Sequence, residues 1–259
     1  MTQPVPLDEA TQLYNEVADL ASEDSAGAAR LAFRLRRYVL KQPNSFAARV
    51  ALGHSLLLCG ERAQAVRELQ TAWDLLDVRD LLITASFGRE LASVADFERA
   101  RILLDRFRSM LESTCPFAAA DLLAQLGFFT GDTALIEQGA AIEQRAGRAG
   151  TALEFQSYLA ASGVGPYLAA HQEAVFSIIR PHQLWTSVQF HQDDDSDVPT
   201  AWVRHHVDLD WPEIRKLRKA MWAALDEHYQ RSGISGALIA PFLSHDIVPV
   251  DRMPVFQVA

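Results

Sequence analysis

Residues able to do chemistry are concentrated in the last third of the chain, where seven of the eight histidines and four of the five tryptophans lie beyond residue 170. One group combines imidazole with carboxylate, a donor set that suits zinc, manganese or iron. Its members are His191, Asp193, Asp194, Asp195, His205 and His206. Their spacing follows no recognised ligand pattern, and two adjacent strand residues point to opposite faces. Only His191, Asp193 and His205 stay as weak metal candidates, so we expect no metal and no cofactor.

The string Ser244-His245-Asp246 contains the three residue types of a hydrolase triad. A triad needs side chains that converge from distant parts of the chain. In an extended segment the histidine would point away from its two neighbours. The string is therefore no evidence for a catalytic centre.

Two segments, 184–191 and 201–209, alternate between residue types with period two, which predicts two strands of a hairpin. The polar segment 192–199 would be the loop between them. One predicted face is mainly aliphatic and should pack on a helix at 211–232. It consists of Leu184, Thr186, Val188, Phe190, Val203, Val207 and Leu209.

The opposite face of this hairpin carries two tryptophans among polar residues, and we interpret it as a contact surface. The residues of this C-terminal contact face are Trp185, Gln189, Trp202, Arg204 and His206. Two tryptophans left in water would form an unusual apolar patch, so something should cover them. The cover could be another part of the chain, a second copy or a ligand. Stacking on nucleic-acid bases is the alternative.

A well-marked helix is predicted at 211–232, with Asp210 as N-cap, Glu213 completing a capping box and Gly233 as the stop. Its basic cluster, Arg215, Lys216, Arg218 and Lys219, would be solvated or would dock an acidic segment. Further strands are predicted at 236–240, 247–250 and 255–258. The order predicts a small α+β domain at 167–259 with a β-β-α-β core.

The first 150 residues have a helical pattern throughout, with apolar residues at steps of three and four. Another helix is expected near 167–179. The predicted N-terminal helices lie near 7–22, 26–41, 46–59, 62–76, 80–93, 96–112, 116–129 and 132–146. The sequence therefore predicts an α+β fold overall, in which an all-α region at 1–162 precedes the C-terminal domain.

Two helical stretches repeat one template at an offset of 35 residues. In the first, Leu52-Gly53 is followed by Gly60, Ala65, Leu69 and Ala72. In the second, Phe87-Gly88 is followed by Ala95, Ala100, Leu104 and Phe107. A small residue where two helices touch, repeated at about 34 residues, is typical of stacked helical hairpins.

This template resembles the tetratricopeptide repeat family over about residues 46–114, with degenerate flanking units. The aromatic residue that often opens such a unit is replaced by Arg49 and Thr84. The resemblance implies a concave groove, lined by the first helix of each unit, that binds a partner segment. The groove residues would be Val50, His54, Leu57, Leu58, Leu82, Ser86, Arg89 and Ser93.

Composition narrows the function classes. The formal net charge of −9 argues against nucleic acid, whose binding proteins usually present a basic face. No apolar run is long enough to span a membrane, and the first residues lack the features of a secretory signal. Two cysteines far apart give no disulfide framework. We expect a cytoplasmic protein.

The residues together favour an interaction scaffold or adaptor over an enzyme. Its partners would be proteins, including a second copy of itself. The alternative is an enzyme or a nucleic-acid-processing component whose active face is the C-terminal sheet. An enzyme should bring His191, His205 or His206 together with carboxylates in a pocket.

Overall fold

The computed structural model describes residues 8–20, 24–76, 80–191 and 198–250. Asp193, Asp194, Asp195 and the predicted strand at 255–258 lie outside the described residues. A long helical region precedes a three-stranded sheet, and one further helix lies between the second and third strands. This confirms the predicted α+β class with its β-β-α-β core.

The helices follow the predicted order, and the structure contains one additional helix, Thr151–Ser162, that was not predicted. The helices are α1 Glu9–Ala18, α2 Ser25–Lys41, α3 Phe46–Leu58, α4 Arg62–Asp74, α5 Leu81–Ser93, α6 Phe97–Thr114, α7 Pro116–Thr130, α8 Thr133–Arg145, α9 Thr151–Ser162, α10 Gly165–Ile179 and α11 Trp211–Ser232. The strands are β1 Gln183–His191, β2 Thr200–Val207 and β3 Leu243–Pro249. Among the described residues no helix has both the length and the apolar character needed to cross a membrane.

Contacts within the chain define two compact units, one reaching Ile83 and the other running from Thr84 to Pro249. This division does not coincide with the predicted boundary near residues 162–167. Helices α6 to α9, which were predicted to belong to the N-terminal domain, instead lie in the same unit as the sheet.

Helix α3 is the centre of the first unit, since α1, α2 and α4 all pack on it. Ser45 begins the helix by accepting a hydrogen bond from the Ala48 N–H. Gly53 lets α4 approach closely, because a Cβ at this position would lie 2.6 Å from Cδ2 of Leu69. This contact is the close approach that the 35-residue template predicts at Leu52-Gly53.

Replacing Gly53 by leucine should lower the free energy of unfolding by about 1–3 kcal/mol through overpacking. The added side chain has to displace Leu69, which is itself buried. Thermal or urea denaturation measures the effect, and Ala63→Leu at an exposed position of α4 is the control. Wild-type stability of Gly53→Leu would show that the two helices do not meet there.

The turns at the ends of α3 and α5 share one backbone feature. Gly60 has a φ of 79°, and Ala95, at the same position of the template, has a φ of 61°. Left-handed conformation at a helix end is common for glycine and unusual for alanine. The 35-residue offset therefore extends to the local conformation of the two turns.

In the second unit α7 packs on α6, α8, α9 and α10. Gly88 of α5 sits against Leu122 of α7, whose Cδ2 would lie 2.8 Å from an added Cβ. Aromatic rings fill the space between the helices. The rings of Phe128 and Phe155 lie 4.6 Å apart, and that of Phe176 meets Phe129 edge-on.

The sheet has the order β1-β2-β3, with β1 antiparallel and β3 parallel to β2. A parallel pair needs a crossover connection, and α11 supplies it. Asp210 caps α11 by accepting from the Glu213 N–H at 3.0 Å, and Gly233 ends it with a φ of 65°. Both ends of this helix confirm the prediction.

One face of the sheet, here called the inner face, packs on α9, α10 and α11. On this face three residue pairs of β1 and β2 lie opposite each other: Val188 and Val203, Thr186 and His205, and Phe190 and Ala201. The core under α10 and α11 consists of Val175, Ile179, Val207, Ile214, Leu217, Met221, Leu225 and Ile247. Of the predicted aliphatic face, Val207 and Leu209 pack on helix 211–232, as expected. Phe190 instead packs on Phe155 and Tyr158 of α9, so the prediction holds for only part of the face.

The predicted strand at 236–240 is wrong: a 3-10 helix, Gly236–Leu238, occupies this segment. The amide of Ile239 donates to the Gly236 carbonyl at 3.1 Å, which closes a turn. Gly236 also lies close against Tyr229, since an added Cβ would be 3.1 Å from two atoms of that ring. Packing on an aromatic ring thus prevails over the strand propensity of a short apolar run.

Candidate functional site

The second face of the sheet, here called the outer face, carries the residues of the predicted contact surface. Trp185 lies opposite His206, Ser187 opposite Arg204, and Gln189 opposite Trp202. From β3, Ser244 and Asp246 join them beside Trp202 and Arg204. The alternation therefore places all five predicted contact residues on one face.

The two tryptophans of the outer face differ in their surroundings. Trp185 is nearly buried and stacks on the ring of His206 at 3.3 Å. Trp202 stays 48% exposed, with the His191 ring 5.3 Å away. Burial, and secondarily the nearby Arg204, lowers the pKa of His206 to about 3. Only Trp202 of the pair is therefore available to a partner.

A chain of hydrogen bonds crosses the inner face, where polar side chains are buried. The hydroxyl of Thr186 lies 3.2 Å from Nδ1 of His205, whose Nε2 lies 2.9 Å from Nδ1 of His245. The two imidazole rings are nearly parallel, with centroids 5.2 Å apart. The Phe176 ring meets His205 edge-on. Hydrogen bonds thus link three side chains from three strands inside the core.

A third buried histidine, His171 of α10, continues this arrangement. Its ring lies 5.0 Å from that of His245, and its Nδ1 is 2.8 Å from the Tyr229 hydroxyl. Neither Nε2 of His171 nor Nε2 of His245 has a hydrogen-bond partner among the described residues. We call His171, His205 and His245 the buried histidine cluster.

Burial keeps these imidazoles neutral. It lowers the pKa of His171 to about 4 and that of His205 to about 3, and it holds the pKa of His245 well below its usual value. Neighbouring histidines add a smaller effect in the same direction. Tyr229 has a pKa raised to about 12, first by burial and then by the carboxylate of Asp226.

The cluster does not form a triad or a metal centre. His245 lies on the inner face, while Asp246 lies on the outer face and pairs with Arg218. Register also places His191 and His205 on opposite faces. Among the residues described, no group of three or more histidines, cysteines and carboxylates could hold a metal ion. Thr186 and His205 are buried, so they act as core residues.

A cavity of about 420 Å³ opens beside α11 and reaches the cluster through His171. Trp222, Asp226 and Tyr229 line it from α11, and Gly236 and Leu243 from the following segment. Sequence analysis missed His171 and Tyr229. His171 could have been found from its position in the sequence. Together with Gln172 it occupies the buried stripe of α10, where apolar residues are usual.

The predicted groove residues are mostly inside the structure. Those that are buried are Val50, Leu57, Leu58, Ser86 and Ser93. His54 and Arg89 are partly buried, and Leu82 is 57% exposed. In the basic cluster of α11, Arg218 donates to the carbonyl of Ile247 at 2.8 Å. Its exposed members are Arg215, Lys216 and Lys219.

Comparison of the chain with protein-family models, with curated proteins and with solved structures gives no match.

Proposed function

We propose that the chain is a protein-binding component of a larger cytoplasmic assembly, and that the outer face centred on Trp202 is its contact surface. The tetratricopeptide-like helices would serve as the framework that carries this face. The two cysteines form no disulfide with each other, which agrees with the proposed compartment.

The exposure of Trp202 is the observation that carries this proposal. Trp202 lies on the middle strand of the sheet, where side chains have neighbours on both sides. Even so, 48% of its surface is open. Helices α9, α10 and α11 cover the inner face and leave this ring uncovered. Large exposed apolar side chains with a polar surround are typical of interaction sites.

The polar side chains around Trp202 have the composition of an interface rim. Exposed Gln189 lies directly opposite Trp202, and Ser244 lies beside it on β3. Arg204 and Asp246 add one charge of each sign one step further along the strands. A buried aromatic anchor inside a ring of hydrogen-bonding groups is how many non-obligate interfaces are built.

Two observations favour this surface over the others considered. Five of the eight groove residues are buried, so the groove offers a partner less accessible surface than the outer face does. The enzyme alternative required a histidine beside carboxylates, whereas the hydrogen-bond partners of His205 are Thr186 and His245. A mixed-charge face also suits a protein partner better than a polyanion.

A photo-cross-linking amino acid at Gln189 tests the proposal in cells of the native host. We expect one defined protein, or a second copy of the chain, to be cross-linked from Gln189 and lost when Trp202→Ser is added. The same label at Lys216, exposed on α11, is the control and should not capture that protein.

Two results would contradict the proposed surface. One is an identical set of cross-linked proteins from Gln189 and Lys216. The other is a Gln189 product that persists unchanged in the Trp202→Ser variant while circular dichroism shows the wild-type fold.

A further inference from the structure

The cavity beside α11 has aromatic walls and a carboxylate at its edge. Trp222, Asp226 and Tyr229 are spaced by four and three residues, so they project from the same face of the helix. The volume of about 420 Å³ falls in the range of small-molecule sites. One face of α11 thus presents an indole ring, a carboxylate and a phenol ring to the cavity, in that order along the helix.

The aromatic wall is held in place on its buried side. His171 fixes the Tyr229 hydroxyl at 2.8 Å, and Gly236 lies close against one side of the ring. Trp222 is 46% exposed and forms the outer part of the wall. A site whose rings are already positioned loses little conformational entropy when a ligand enters.

The charge of the cavity is negative. Asp226 is exposed at its edge and forms no ion pair with any described residue. His171 lies at the floor as a neutral ring, because its pKa is lowered to about 4 by burial. No positive charge among the lining residues therefore offsets the carboxylate.

We propose that this cavity binds an organic ammonium ion, such as a quaternary or methylated amine. The faces of tryptophan and tyrosine attract such cations, and a nearby carboxylate adds a Coulomb attraction. A bare metal ion would find too few ligands, since Asp226 supplies the one carboxylate of the lining. The ion could be a free small molecule or a methylated lysine of another protein.

This site does not depend on the outer face, because none of its residues belongs to it. Trp202 and the cavity can therefore be tested separately. Trp211 provides a matched control, since it is on the same helix, is 51% exposed and stacks with Arg218 without lining the cavity.

Isothermal titration calorimetry of the full chain with choline tests the proposal. The comparison ligand is 3,3-dimethylbutan-1-ol, which has the same shape without the charge. We expect saturable choline binding and an affinity for the neutral alcohol roughly tenfold weaker, as cation–π energies imply. A peptide with trimethyl-lysine is the second probe. Tighter binding of the peptide would assign the ion to a partner, and tighter binding of choline to a free molecule.

Substitutions of the lining residues test whether choline binds in this cavity. Trp222→Leu and Asp226→Asn should each weaken choline binding roughly tenfold, while Trp211→Leu should leave it within about twofold of wild type. Melting curves show whether each variant is folded. The proposal is overturned by equal binding of choline and the alcohol, by no saturable binding of choline or the peptide, or by equal losses in Trp222→Leu and Trp211→Leu.

Discussion

Acidification from pH 7 to pH 5 should destabilise this protein by about 5 kcal/mol or more, because burial lowers the pKa values of several histidines. The pKa values of His171, His205 and His206 are lowered to about 4, 3 and 3, and burial also holds the pKa of His245 well below its usual value. In the unfolded chain each would titrate near its ordinary pKa of about 6.5. The unfolded state therefore binds more protons below that pH.

The direction of the pH dependence of stability follows from this difference in bound protons. The stabilising contribution is complete above about pH 6.5 and is lost as the pH falls toward the folded-state values near 3 to 4. The contribution of each imidazole to the free energy of unfolding falls by up to about 1.4 kcal/mol per pH unit. At pH 5 each contribution is therefore smaller by about 2 kcal/mol. Three such groups, His171, His205 and His206, already approach the whole free energy of unfolding of a typical domain, about 5–15 kcal/mol, and His245 acts in the same direction.

Urea denaturation at several pH values between 7.5 and 5 measures this dependence. Replacing His245 by glutamine should reduce the pH slope by about one proton, since that ring no longer titrates. Gln189→Ala, an exposed substitution on β1 that removes no titratable group, is the control and should keep the wild-type slope. A free energy of unfolding that stays level from pH 7 to pH 5 would contradict the neutral, buried state of the cluster.

Replacing Glu143 by alanine should lower the free energy of unfolding by about 3–5 kcal/mol, the largest effect that we expect from a single substitution. Glu143 is fully buried at the end of α8. Its carboxylate accepts backbone hydrogen bonds from Gly150, Ala152 and Leu153 at 3.1, 3.2 and 2.9 Å. These N–H groups belong to the start of α9 and have no partner within the helix.

The alanine variant leaves three donors without their acceptor, and the favourable charge at the helix N-terminus is lost with them. Hydrogen exchange should therefore accelerate first at the amides of α9. Glu137→Ala, exposed on the same helix, should change stability by less than about 0.5 kcal/mol. Equal stability of the Glu143 and Glu137 variants would show that the carboxylate is not the cap of α9.

Local pattern was enough to predict most elements of this fold. Helix periodicity placed α2 to α8 within a few residues, and capping chemistry placed both ends of α11 at Asp210 and Gly233. The alternation of residue types along β1 and β2 predicted that Trp185 and Trp202 lie on the face opposite the core under α10 and α11. Each of these features depends on residues close together in sequence.

The candidate sites depend on contacts between distant residues, which pattern does not encode. His171, His205 and His245 come from a helix and two strands, and no spacing rule connects them. The cap of α9 likewise comes from Glu143, ten residues before Leu153. The 3-10 helix at Gly236–Leu238 replaced a predicted strand because its glycine packs on Tyr229.

The most direct test of the proposed protein-binding face is the affinity of the purified chain for the protein cross-linked from Gln189. We predict that Trp202→Ala weakens this affinity about 30-fold or more, as expected for an aromatic hot spot. Trp211→Ala, equally exposed outside that face, should change it less than about twofold. Equal affinity of the wild type and the Trp202→Ala variant, both folded, would contradict the assignment of the outer face as the contact surface.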